Sequence, residues 1–148
     1  PSLQGAEEGV IDGYFDSSYK RFTTGTWTQR DGLLIINGIA TVNTQPVASI
    51  TLSIWDYKGP GSYHISSDTM VGNSIAYGIV GYEDSAAQVY LAKDGFGYGT
   101  ITITEEGASY KGEYHGRLQY VNMDEPDVPG YDSIMIYDGR FNVTKLPE

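Results

Sequence analysis

His64 and His115 are the only imidazoles in this 148-residue chain, and cysteine is absent. Thiolate nucleophiles, disulfides and cysteine-based metal sites are therefore excluded. Ser62 and His64 stand two positions apart, a spacing that puts a hydroxyl and an imidazole on one face of a strand. A serine nucleophile also needs an acid to orient its base and donors for the oxyanion, and no G-x-S-x-G elbow, H-E-x-x-H pair or Walker loop accompanies it. The sequence assigns no catalytic residue. The run Gly95-Phe96-Gly97-Tyr98-Gly99 has the glycine spacing of a phosphate cradle. It leads into Thr100-Ile101-Thr102-Ile103-Thr104, a strand pattern, whereas a dinucleotide site opens a helix at that point.

Carboxylates and aromatic rings offer the remaining chemistry. Asp124, Glu125, Asp127 and Asp132 share a proline-stiffened segment, and several oxygens at short range in a stiff loop are what calcium requires. The alternating D-x-D-x-D-G pattern is missing, so the segment reads as a calcium loop or as a solvated acidic turn, and no other cofactor is expected. A paired-carboxylate glycosidase would need two acids on one cleft wall, and most acids here fall in turn segments, with Glu113 on a strand face. Thirteen tyrosines and two tryptophans exceed what a core of this size must cover. Rings with a polar tip suit sugar stacking and protein interfaces. Trp55, Tyr57 and Tyr63 flank the glycine-rich turn Lys58-Gly59-Pro60-Gly61 and form the candidate recognition cluster, with Tyr98 and Tyr131 as additions. The other tyrosines read as caps on sheet edges and ends.

Charge narrows the partners. A net charge of -10 with only nine basic residues argues against a nucleic-acid partner and against docking on an anionic membrane. The longest aliphatic run, Leu33-Leu34-Ile35-Ile36, is too short for a transmembrane segment.

The elements that would position these residues are strands. Ser49-Ile50-Thr51-Leu52-Ser53-Ile54 alternates apolar and hydroxyl side chains, the pattern of a half-buried strand. Further strands are expected over residues 26–29, 33–37, 39–42, 62–66, 75–82, 88–92, 99–105, 110–121, 133–137 and 140–143. Asn37-Gly38 reads as a hairpin turn, Asn43-Thr44-Gln45-Pro46 as a connector, and Asp138-Gly139 as a bulge or tight bend inside one long final strand. If residues 99–105 and 110–121 form a hairpin with Glu105 beside Tyr110, Ile103 faces Gly112 and Ile101 faces Tyr114 on an apolar side. Thr104, Thr102 and Thr100 then meet Lys111, Glu113 and His115 on the other side, which reads as a solvated face or as a polar binding platform. One domain over residues 10–148 is expected, after a flexible leader over residues 1–9. Its fold class is an all-β, antiparallel two-sheet sandwich of nine or ten strands, with a closed calycin-like barrel as the alternative.

The segments Ala40-Thr41-Val42-Asn43, Gly61-Ser62-Tyr63-His64-Ile65, Gly99-Thr100-Ile101-Thr102-Ile103-Thr104, Gly112-Glu113-Tyr114-His115-Gly116-Arg117-Leu118 and Asp138-Gly139-Arg140-Phe141-Asn142-Val143 resemble, in order, small exported and often lipid-anchored bacterial β domains of uncharacterised function, common in Bacteroidota. That resemblance implies a cell-envelope, periplasmic or surface location and carries over no catalytic residue. Thr24-Gly25-Thr26-Trp27 is similar to the G-x-W start of lipocalin and avidin barrels. The expected function is a non-enzymatic exported binding or adhesion domain that contacts glycan or protein through aromatic loop residues. A barrel enclosing a small apolar ligand is the alternative, and a carbohydrate-active enzyme the third reading.

Overall fold

The computed structural model describes residues 7–65, 72–80, 88–93, 97–121 and 129–146, without the side chains of residues 129–131. Every regular element among them is a strand: β1 (Val10–Phe15), β2 (Ser18–Phe22), β3 (Thr26–Arg30), β4 (Leu33–Val42), β5 (Gln45–Ile54), β6 (Gly61–Ile65), β7 (Ser74–Ile79), β8 (Gln88–Ala92), β9 (Tyr98–Glu105), β10 (Ser109–Val121) and β11 (Pro129–Lys145). No helix among the described residues is long and apolar enough to cross a membrane.

The strands form one continuous hydrogen-bonded system of eleven, folded over into two layers. The first layer runs β2-β1-β11-β10-β9-β6 and the second β3-β4-β5-β7-β8. Two short corners join them. At one, β8 pairs with the end of β10 through Val89, Tyr90 and Leu91; at the other, Thr144 and Lys145 of β11 run parallel to Thr26 and Trp27 of β3. This is the expected all-β sandwich. It has eleven strands rather than nine or ten, because residues 10–22 fold as the β1–β2 hairpin, whose alternation is interrupted by Asp12 and Gly13.

Alternation sorts the side chains. Leu34, Ile36, Ile50, Leu52, Ile54 and Ile75 of the second layer meet Ile101, Ile103, Tyr114, Leu118, Ile136, Phe141 and Val143 of the first, all essentially inaccessible to water. Rings bridge the layers: Phe15 and Phe22 pack on Tyr77 at centroid separations of 4.7 and 6.2 Å, and Trp27 packs on Tyr110 at 4.4 Å. A one-residue slip in any of these strands would turn its apolar set to water, so burial fixes the register.

The β9–β10 pairing matches expectation at Ile103–Gly112, Thr102–Glu113, Ile101–Tyr114 and Thr100–His115. It differs at the turn, where Glu105 opposes Lys111 and Thr104 is the extra residue of a bulge. The Thr104 hydroxyl donates to the Lys111 carbonyl at 3.0 Å. Asn37-Gly38 is not a turn. β4 passes straight through it, and the chain reverses at Asn43-Thr44, both at positive φ as a type I′ hairpin requires. Gly38 serves close approach instead: a Cβ there would lie 2.9 Å from both Ile11 Cδ1 and Phe22 Cβ of the β1–β2 hairpin.

Gly112 is equally constrained, because a Cβ would collide with the Thr102 carbonyl and meet the Phe141 ring at 2.6 Å. Gly112→Ala is expected to cost about 2–3 kcal/mol by overpacking, read from urea denaturation; an unchanged midpoint would contradict this packing. A second expectation concerns alkali. The Tyr114 hydroxyl donates to the Asp12 carbonyl at 3.0 Å, and burial pushes its pKa well above the ordinary tyrosine range; burial and then Glu106 do the same for Tyr57. The unfolded chain releases these protons near pH 10 while the folded chain keeps them. Stability should therefore be unaffected by these groups below pH 10 and fall above it, by up to about 1.4 kcal/mol per pH unit for each tyrosine. Urea midpoints between pH 8 and 11.5 should show that decline, with a shallower slope in Tyr114→Phe.

Candidate functional site

The first layer has its apolar side on the core, and its other side forms a groove of about 1290 Å³ lined by β1, β2, β9, β10 and β11. Strand register dictates what lines it. β11 turns Ile134 and Ile136 inward, then Gly139, Phe141 and Val143, a change of parity that an extra residue at Asp138 makes, with φ at +51°. The partners see the same insertion: Asp12 and Tyr14 of β1 oppose Arg140 and Tyr137, while Tyr114 and Gly116 of β10 oppose Gly139 and Ile136. Tyr137 and Arg140 consequently both point outward.

Two lines of side chains cross the strands on this face. In one, Tyr19, Tyr14 and Tyr137 are successive partners across β2, β1 and β11, and His115 of β10 stands opposite the bulge, with Thr100 of β9 and His64 of β6 beyond it. The second, two residues along the strands, is Arg21, Asp12, Arg140, Glu113, Thr102 and Ser62. The tyrosines are half exposed: Tyr14 45 %, Tyr19 50 %, Tyr137 50 %, with Tyr98 at 48 % beside Arg117 in the next line. Tyr14 and Tyr19 pack ring against ring at 5.5 Å. Within the described residues, the hydroxyls of Tyr14, Tyr98 and Tyr137 take part in no hydrogen bond.

Asp12 anchors the arrangement. It faces outward from β1 yet is 3 % exposed, because Arg140 and Tyr19 close over it. Arg140 donates through Nε to Oδ1 at 3.1 Å and through Nη2 to Oδ2 at 2.7 Å, a planar fork on a carboxylate, and the Tyr19 hydroxyl donates to Oδ2 at 2.7 Å. These bonds hold the Arg140 guanidinium more firmly protonated than usual, and burial followed by the Asp12 bond raises the Tyr19 pKa. Both oxygens of this carboxylate are thus occupied by donors of the protein itself. Asp12 is well suited to fixing the two side chains that flank the tyrosines.

The residues singled out in the sequence divide between places. Tyr57 is buried, packs on Tyr63 at 5.5 Å and Tyr110 at 6.0 Å, and donates its hydroxyl to Glu106 at 2.7 Å. Tyr63 donates to the Gly59 carbonyl at 2.6 Å and accepts the Lys58 N–H at 2.9 Å. Tyr57 thus fastens the turn between β5 and β6 to the β9–β10 turn, and Tyr63 closes the β5–β6 turn on itself. Trp55 is half exposed, its indole against Gly72 and its backbone N–H on the buried Asn73 side chain at 2.9 Å. Tyr98 alone of that set lines the groove. Of Tyr131 only the backbone is described. Asp124, Glu125 and Asp127 lie outside the described residues, while Asp132 is exposed near Tyr90, whose pKa burial and then Asp132 raise. Among the described residues, no three His, Asp or Glu side chains are placed to share a metal ion.

Along β9 and β10 the polar face carries one tyrosine, Tyr98, at the end away from the β9–β10 turn, and the imidazole of His115. The other three tyrosines, Tyr14, Tyr19 and Tyr137, come from β1, β2 and β11, which the fold brings alongside. The one local signal was the Asp16-Ser17 reversal, with Asp16 at φ +55°, which sets Tyr14 against Tyr19. Compared with models of protein families, with curated proteins and with solved structures, the chain has no match.

Removing Arg140 would strand a buried carboxylate. Breaking a fully buried pair costs about 3–5 kcal/mol, but the Arg140 side chain is 40 % exposed, so Arg140→Ala is expected to cost about 1–3 kcal/mol in urea denaturation. Arg140→Lys should recover only part of this, because an ammonium lacks the fork.

Proposed function

We propose that the protein is a non-enzymatic, exported binding domain of the bacterial cell envelope, and that it holds a glycan on the outward face of its first layer. The observation that carries the reading is the line of half-exposed tyrosines, Tyr19, Tyr14 and Tyr137, lying beside a line of ionised and hydroxyl groups within one groove. A pyranose presents an apolar C–H face that stacks on such rings, and hydroxyls at its edge that require fixed donors and acceptors. The rings supply the first and the Arg140, Glu113 and Thr102 side chains the second. The net charge of -10 disfavours a phosphate backbone as the occupant.

Three further points support the reading. Asp12, the most enclosed carboxylate of the face, has both oxygens engaged by Arg140 and Tyr19 and so is not presented to a glycosidic bond. The interior is occupied by interlocking aliphatic and aromatic side chains, which speaks against an apolar ligand enclosed between the layers. Envelope location rests on the resemblance of five segments to exported bacterial β domains.

A glycan array followed by calorimetric titration tests the proposal. Binding should weaken roughly tenfold or more in the Tyr14→Ala/Tyr137→Ala double variant, as loss of two stacking contacts predicts, and persist in Trp55→Ala. Both variants change exposed residues, so their melting temperatures should match the parent. Failure of every glycan to bind, or full binding by the double variant, would remove the reading.

A further inference from the structure

Resting on that reading, we infer that the ligand is an uncharged, extended β-linked polysaccharide bound along its length, with its chain axis running across the strands. Direction comes from the register. Tyr19, Tyr14, Tyr137 and His115 are consecutive across β2, β1, β11 and β10, so ring-bearing positions recur at the strand spacing of about 4.8 Å. Successive sugars in an extended β-1,4 chain recur at nearly that distance, whereas positions along one strand face recur at about 6.7 Å. A chain laid across the strands therefore meets a ring-bearing position at each sugar, the Tyr14 and Tyr19 rings lying 5.5 Å apart and tilted by 58° to one another. The second line of side chains lies about 6.7 Å to one side, within reach of the hydroxyls at the edge of each stacked sugar.

Length follows from the groove. Its lining spans five strands, from β2 to β9, which is about 19 Å at the usual spacing and accommodates about four sugars. Among the described residues the lining is a sheet face half open to solvent, on which recognition does not require a chain terminus.

Charge sets the class. The cations of this face are engaged within the protein: Arg140 with Asp12 at 2.7 Å, Lys111 with Glu105 at 3.5 Å, Arg21 with Glu7 at 2.7 Å, and Arg117 with the Ser133 hydroxyl at 3.2 Å. An acidic polysaccharide would have to displace these partners and approach a chain of net charge -10. A neutral one needs only hydrogen bonds to groups already fixed in place.

The test titrates the intact chain with β-1,4-linked oligosaccharides of glucose, xylose and mannose, two to six sugars long, and with β-1,4-linked oligomannuronate as the acidic probe. At least one neutral series should gain affinity with each added sugar up to about four, roughly tenfold in all between dimer and tetramer, and then level off. Tyr19→Ala and His115→Ala, at opposite ends of the line, should each reduce tetramer affinity to that of a shorter chain. Preference for oligomannuronate, affinity already level at the dimer, or indifference to both end substitutions would overturn this inference while leaving glycan binding intact. Absence of binding by every glycan on the array would remove the underlying proposal as well.

Discussion

One inserted residue governs the outward face. β11 has to turn Ile134 and Ile136 inward at one end and Phe141 and Val143 inward at the other, and these two sets have opposite parity. Strict two-residue alternation cannot satisfy both, so the strand carries an extra residue at Asp138, at positive φ. Asp is among the side chains that enter this conformation most readily. The glycine that follows lets the Tyr114 ring lie against bare backbone: a Cβ at Gly139 would meet the Tyr114 carbonyl, and its ring at 2.8 Å. As a result Tyr137 and Arg140, three residues apart, share the outer face, where plain alternation would have placed them on opposite sides.

The core and the outer face are then linked through one residue. Tyr114 crosses the sheet from the inside to reach the Asp12 carbonyl, while Arg140 and Tyr19 reach the Asp12 carboxylate from the outside. β1 is in this way tied to β2, β10 and β11 by side chains as well as by its ladders. Asp12 owes its low exposure to these partners. Its burial is tolerable because each oxygen accepts a charge-assisted or hydroxyl bond, which offsets the loss of hydration.

The β-class, the filled interior and the β9–β10 faces are legible in the sequence because they depend on local alternation. Ile101, Ile103, Tyr114 and Leu118 declare their side of the sheet within a few residues of chain. The hairpin at residues 10–22 is hidden by Asp12 and Gly13, whose types belong to the outer site and to a close contact rather than to a strand pattern. Asn37-Gly38 misleads for a related reason, since glycine marks close backbone approach as readily as it marks a turn. The candidate site is the least legible part: Arg140 and Asp12 are 128 residues apart, and Tyr114 and Asp12 are 102 apart. No pattern within a single strand announces which tyrosines a distant strand will bring alongside.

The tyrosines themselves separate into two kinds once their hydroxyls are followed. Tyr57, Tyr63, Tyr110 and Tyr114 donate to Glu106, to the Gly59 carbonyl, to Gln29 and to the Asp12 carbonyl, and their rings are covered by neighbouring rings or backbone. Burying a phenol without a partner would cost about 1–3 kcal/mol, so these bonds are what makes a tyrosine acceptable where phenylalanine would otherwise serve. Tyr14, Tyr98 and Tyr137 stand on the outer face with half their surface in water and hydroxyls that no described residue engages. Such residues add nothing to the core, and a ring left half bare on a β surface invites association. Their backbones are nevertheless held by paired strands, so an incoming ligand would have only side-chain rotamers to order and no backbone. Ring area withheld from the core and carried on strands whose backbones are paired is the property by which this face differs from an ordinary solvated sheet.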